Sequence, residues 1–129
     1  MEKRTYNKGD MICKERESGD EMYFILKGSA VPYKTINNQK LELSAIEQGN
    51  FFGEMCLFSR NTRTATVVAA EPTELLILTK TNLLEKLQSD PRLGVKIIET
   101  LISRLEYAHD IIEELEGVKS SFEVMYGKH

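Results

Sequence analysis

At 129 residues the chain suits one domain, long enough to bury a core without metals or disulfides. A net charge of −3 argues against a nucleic-acid-binding surface, because phosphate backbones select basic domains. No apolar run approaches a bilayer span, and none follows the opening Met-Glu-Lys-Arg-Thr, so neither a membrane helix nor a signal peptide is expected and the location expected is the cytoplasm.

Arg4 to Tyr6 and Met11 to Cys13 read as short strands around the turn Asn7-Lys8-Gly9-Asp10. Ser18-Gly19-Asp20 is a second turn, and Met22-Tyr23-Phe24-Ile25-Leu26 runs apolar and β-prone towards Gly28. Ala30 to Ile36 follows as a strand whose Pro32 belongs on an edge or at a bulge. Asn37-Asn38 supplies a hairpin turn, and Leu41 to Ile46 alternates with the strand period of two. Thr64 to Ala69 and Glu74 to Leu78 are two further strands, separated by Glu71-Pro72. Short strands at this spacing, with Gly, Pro and Asn turns, indicate a barrel or sandwich over about residues 4–79.

The stretch 49–67, G-N-F-F-G-E-M-C-L-F-S-R-N-T-R-T-A-T-V, interrupts the strands and carries the chemistry. Gly53 lets the backbone approach a ligand closely, and the N–H groups after it open a short helix, where free donors and the helix dipole favour an anion. Arg63 follows as a clamp for an anionic oxygen. Glu54 beside an anion makes sense when the ligand also offers hydroxyl donors, as a sugar phosphate does. The plainer alternative is a surface salt bridge between Arg63 and Glu54, with Glu54 serving as a helix-start charge. Cys13 and Cys56, without C-x-x-C or a ligand-spaced histidine, read as reduced core thiols, and no metal site is expected.

The period changes at Lys80. Thr81 or Asn82 caps a helix that runs to Ser89, and Asp90-Pro91 breaks it and starts a longer one over about residues 91–116. Ile98, Leu101, Leu105, Ala108, Ile112 and Leu115 form a heptad seam, expected to join two copies as a homodimer or to meet an effector protein. Ile102 and Ile111 flank the seam and are expected to pack back on the β domain. Past Gly117 the pattern fades, so the domain is expected to span 1–117, with 118–129 a fraying tail.

Ser18-Gly19-Asp20-Glu21-Met22-Tyr23-Phe24-Ile25-Leu26-Lys27-Gly28 resembles the early G-D-x-x-Y-x-I-x-x-G signature of the cyclic nucleotide-binding domain family, shared by bacterial catabolite activators and the regulatory subunits of cAMP-dependent protein kinase. Gly49 to Leu57 resembles the front of that family's phosphate-binding cassette, and Arg63-Thr64-Ala65-Thr66-Val67 its back. The resemblance covers nearly the whole chain. It implies a mainly β fold of the α+β class, a jelly-roll-like β-roll followed by a C-terminal helix pair.

By that resemblance Arg63 binds the cyclic phosphate together with the main-chain N–H groups of Met55, Cys56 and Thr64. Glu54 and the Gly53 backbone hold the ribose 2′-hydroxyl, Ala65 completes the cassette, and Arg104 falls where the activators carry an arginine near the ribose glutamate. Cys56 stands where Ala or Gly is usual, and Thr62 where proline is frequent. The implied ligand is cAMP first, with cGMP a close second. Thr64 does not decide the base, and Ala108-His109 replaces the activators' Thr-Ser pair, with His109 read as a solvated helix residue.

The expected function is a non-enzymatic sensor with no cofactor beyond that ligand. No nucleophile–base pair or metal cluster is legible, and about a dozen residues after Gly117 are too few for a DNA-reading domain. A rival expectation is an interaction module in which the pocket is unused and the helix seam does the work.

Overall fold

The computed structural model describes residues 2–59 and 61–126, with side chains described as far as residue 117. Its strands are β1 (Glu2–Tyr6), β2 (Met11–Cys13), β3 (Glu21–Lys27), β4 (Ser29–Ile36), β5 (Gln39–Glu42), β6 (Ile46–Glu47) and β7 (Phe51–Phe52). The short helix α1 (Met55–Phe58) precedes β8 (Thr66–Ala69) and β9 (Thr73–Thr79), and helices α2 (Lys80–Ser89) and α3 (Pro91–Tyr126) follow. The strands form two antiparallel sheets ordered β1-β9-β3-β7 and β2-β8-β4-β5, with β6 paired to β4. This is the expected β-roll with C-terminal helices. The chain divides into two units, residues 1–88 and 89–129.

The core follows from the apolar runs. Met22, Tyr23, Phe24 and Ile25 are buried in succession: Tyr23 and Ile25 enter the core cluster on one face of β3, and Phe24 packs against the Phe51 ring on the other. Tyr23, Ile25, Ala30, Phe52, Val67, Leu75 and Ile77 make one cluster, within which the Tyr23 and Phe52 rings stack at 4.9 Å. Its Ile, Leu, Val and Phe side chains each contribute about 1.5–3 kcal/mol through burial. Gly28, at φ +90°, turns β3 into β4 where a Cβ would lie 2.5 Å from the Pro72 carbonyl oxygen. Asn37 and Asn38, at φ 52° and 62°, form the expected hairpin turn.

Several local expectations change. Pro32 is not on an edge, because β4 is paired with β8 on one side and with β5 and β6 on the other. It does face a bulge: pairing runs to Tyr33–Glu42 in β5 and resumes at Ala30–Ile46 in β6, so Val31 and Pro32 face the three residues 43–45. Its carbonyl accepts from Leu43 N–H at 2.9 Å where β5 ends, so proline keeps one bond to the neighbouring segment and forgoes the other where the ladder is already broken. The alternating run Leu41 to Ile46 is not one strand, since β5 ends at Glu42 and β6 starts at Ile46. Leu41 and Leu43 are both exposed, so the alternation had no buried face to serve.

The cap of α2 is Thr79. Its hydroxyl accepts from Asn82 N–H at 3.2 Å, while the Asn82 side-chain oxygen accepts from Thr79 N–H at 3.5 Å. This reciprocal pair starts the helix at Lys80, earlier than a cap at Thr81 or Asn82 would.

Helix α3 starts at Pro91 as expected but does not stop near Gly117. It runs 36 residues, to Tyr126, because one helical glycine costs about 1 kcal/mol and good helix formers flank it. Of the tail expected at 118–129, residues 118–126 are therefore helical, and 127–129 lie outside the described residues. The seam positions Ile98, Leu105, Ala108, Ile112 and Leu115 are exposed and Leu101 is half-buried. Ile102 and Ile111, which flank the seam, are exposed as well. Among the described residues, no helix is long and apolar enough to cross a membrane.

Candidate functional site

Arg63 is built in from its backbone outward. Its N–H donates to the Glu17 carbonyl and its own carbonyl accepts from Arg16 N–H, both at 2.8 Å. Gly19 N–H donates to the Asn61 carbonyl at 2.7 Å, and Ser18 bridges Thr62. Residues 61–65 therefore lie along the loop between β2 and β3, and β8 begins at Thr66 instead of the expected Thr64. Arg16 takes a left-handed φ of 73° in that loop, at a cost of about 1–2 kcal/mol.

The Arg63 side chain is only 6% exposed. Nη1 donates to the Glu21 main-chain carbonyl at 2.8 Å, and Nη2 donates to the Tyr23 hydroxyl at 3.1 Å. The guanidinium carbon lies 5.1 Å from the centre of the Tyr23 ring. Two glycines make the room. A Cβ on Gly19 would fall 2.4–2.6 Å from Nε, Cζ and Nη2, and one on Gly53 would fall 2.8 Å from Nη1. Gly53 also holds φ +84°, a conformation that costs glycine nothing.

Both hydrogen-bond partners are neutral oxygens, and no ion pair among the described residues includes Arg63. The expected alternative, a surface salt bridge with Glu54, is thus absent among the described residues. A buried cation held only by neutral acceptors favours an anion strongly. A cavity of about 620 Å³ reaches Arg63 and is lined along the segment from Ile12 to Tyr23.

Behind Arg63 runs a chain of polar contacts. The Tyr23 hydroxyl donates to the Glu21 carboxylate at 3.0 Å, and Arg4 of β1 donates to the same oxygen at 3.2 Å. Arg4 also donates to Glu2 at 2.6 Å. Burial pushes the Tyr23 phenol well above its ordinary range, against the pull of nearby Arg63, so the hydroxyl keeps its proton near neutrality. Burial likewise raises the Cys13 thiol to about 11. Its Sγ lies 3.9 Å from the Ala65 carbonyl oxygen.

The remaining expected residues are placed less uniformly. Glu54 opens α1 with helical backbone angles and is half-buried, as is Cys56, while Met55 and Thr64 are exposed. The Cys56 N–H, expected on a phosphate, donates to the Gly53 carbonyl at 3.2 Å and is held in the turn. α1 is a single turn of four residues, so its dipole adds little to the site. Arg104 is half-buried on α3, in the second unit. His109 is exposed and its Nε2 lies 3.1 Å from Glu113 one turn on, in keeping with a solvated residue.

Gly19, Glu21 and Tyr23 are the contributors that residue-by-residue reading left out. Their signal was present in the early G-D-x-x-Y segment, which gave no sign of which distant side chain it serves.

The fold and this arrangement define a β-roll that buries an arginine among neutral acceptors. The chain belongs to the cyclic nucleotide-binding domain family, whose model matches residues 3–90. A cyclic nucleotide-gated potassium channel of Rhizobium etli is 38% identical over 96 residues, which is 74% of this chain and 26% of the channel. The cyclic AMP receptor protein of Thermus thermophilus is 30% identical over 109 residues, 84% of this chain and 50% of that protein. The chain thus spans half or less of each of these relatives.

Among solved structures, the Thermus thermophilus catabolite activator protein aligns with a TM-score of 0.79 at 28% identity, over 89% of this chain and 55% of that one. The EAL enzyme Bd1971 in its cAMP-bound form aligns with a TM-score of 0.62 at 30% identity, over 95% of this chain and 33% of that one. Its cGMP-bound form aligns at 0.61 and 31%, over 81% and 28%.

Proposed function

We propose that this domain is a sensor that binds a 3′,5′-cyclic nucleotide, cAMP ahead of cGMP, and passes the event on through its C-terminal helices. The observation that carries the reading is the buried Arg63 guanidinium with neutral partners, on the segment where the family binds its phosphate. Arg63 takes the cyclic phosphate. Glu54 takes the ribose 2′-hydroxyl, a hydrogen bond to a charged group worth about 1.5–3 kcal/mol. Met55 and Thr64 add main-chain donors, and Arg104 approaches the sugar side once the ligand is bound. Preference for cAMP is supported by the Thermus relative named as a cyclic AMP receptor, and the two ligand forms of the EAL enzyme keep cGMP close behind.

Ligand binding shifts the population of cassette conformations and repositions α2 and α3, and no chemistry is done on the ligand. The exposed heptad stripe of α3 favours a second copy of this chain as the immediate partner. Isothermal titration of the folded chain with cAMP, cGMP and linear 5′-AMP tests the reading. Saturable heat with a cyclic nucleotide, at least tenfold weaker in Arg63→Ala, is expected. No heat with either cyclic nucleotide overturns it.

A further inference from the structure

We propose that Tyr23 is a positioning residue for Arg63: its hydroxyl, oriented by Glu21, fixes the plane in which the guanidinium meets the ligand's phosphate. The proposal rests on the reading of Arg63 as the phosphate clamp and adds how that clamp is aimed.

A guanidinium carries five N–H donors in one plane, and its affinity for a phosphate depends on presenting two of them together. In this site one Nη1 donor is taken by the Glu21 carbonyl and one Nη2 donor by the Tyr23 hydroxyl. Those two bonds define the plane and leave Nε–H and one donor on each terminal nitrogen for an anion. The backbones at Gly19 and Gly53 close in on the same group, so it has little room to tilt.

The Tyr23 hydroxyl serves as an acceptor for Arg63 because its own proton points elsewhere, to Glu21 Oε1 at 3.0 Å. Glu21 in turn is held by Arg4 from β1 at 3.2 Å. The charges facing this hydroxyl are therefore Arg63 on one side and the Glu21–Arg4 pair on the other. A phenylalanine at position 23 would keep the ring over Arg63 and the stack on Phe52. It would remove only the hydroxyl, the acceptor for Arg63 and the donor to Glu21, which Arg4 still holds.

The experiment is titration of the full chain with cAMP for wild type, Tyr23→Phe, Arg63→Lys and the double variant. Tyr23→Phe is expected to bind about tenfold more weakly than wild type. In the Arg63→Lys background it is expected to change nothing further, because an ammonium has no plane to align. Equal affinity of wild type and Tyr23→Phe overturns the proposal, and so does the same loss in both backgrounds, which marks a general structural role. Absence of binding by wild type overturns the cyclic-nucleotide reading itself, and this proposal with it. A second measurement needs no variant: the Arg63 Nη protons should appear as separate NMR resonances in the unliganded wild type at 25 °C. Their collapse by free rotation about Nε–Cζ overturns the proposal.

Discussion

Gly19 and Gly28 lie nine residues apart and would respond differently to the same methyl group. At Gly19 the three atoms nearest an added Cβ all belong to the end of the Arg63 side chain, which would have to leave its two hydrogen bonds, whereas no backbone is among them. Gly19→Ala should therefore melt close to wild type yet bind cyclic nucleotide about tenfold more weakly, because the guanidinium is displaced from two aligned hydrogen bonds. At Gly28 the Cβ meets the Pro72 backbone at 2.5 Å on a residue with φ +90°. Gly28→Ala should lower the melting temperature by several degrees, with the loss set by strain of about 1–2 kcal/mol or more. Paired melting curves and titrations separate the two outcomes.

Cys13 gives a pH dependence with a defined sign. Its thiol titrates at about 11 in the fold against 9.0 ordinarily, so between those values the unfolded chain has lost a proton that the folded chain keeps. Its contribution to stability is constant well below pH 9 and falls as pH rises past 11, by up to about 3 kcal/mol. Urea titrations at pH 8 and pH 10.5 should show a smaller decline for Cys13→Ala than for wild type.

At the scale of elements, what was legible in the sequence was whatever a few neighbouring residues decide. The apolar run of β3, the Asn37-Asn38 turn and the start of α3 at Pro91 each have a local cause. What was illegible depended on partners far along the chain. The Tyr23–Arg63 bond spans 40 residues, and nothing near Tyr23 names its partner. Pro32 read equally as an edge or a bulge residue, because the gap between β5 and β6 exists only once both have paired with β4. The Arg63 clamp itself was legible as part of a cassette, but the loop that pins its backbone was not, since main-chain bonds leave no mark on residue type.

The α2 cap is local yet was misread by two or three positions, because Thr79, Thr81 and Asn82 are all cap formers. The reciprocal bonds between Thr79 and Asn82 give a test. Thr79→Ala should destabilise the domain by about 1 kcal/mol in urea unfolding, while Thr81→Ala should have no comparable effect.

For the molecule as a whole, the proposed dimer would make ligand and assembly linked quantities. The α3 stripe is strongly exposed in the single chain, with Leu105 at 69%. Two copies related by a twofold axis would bury the same stripe against itself, and the heptad spacing suits that arrangement. If cyclic nucleotide repositions α3, it must also change the dimer constant, and thermodynamic reciprocity fixes the size of the change. The factor by which cAMP tightens the dimer equals the factor by which dimerisation tightens cAMP binding.

Leu105→Asp places a charge at the seam in each copy and should leave a folded monomer. Sedimentation of wild type with and without cAMP gives one factor. Titration of cAMP into the wild-type dimer and into the Leu105→Asp monomer gives the other. The two should agree within experimental error, and both should exceed one. A wild-type chain that stays monomeric at high concentration removes the seam as a dimer contact, and a factor of one on both sides leaves a dimer that does not hear the ligand.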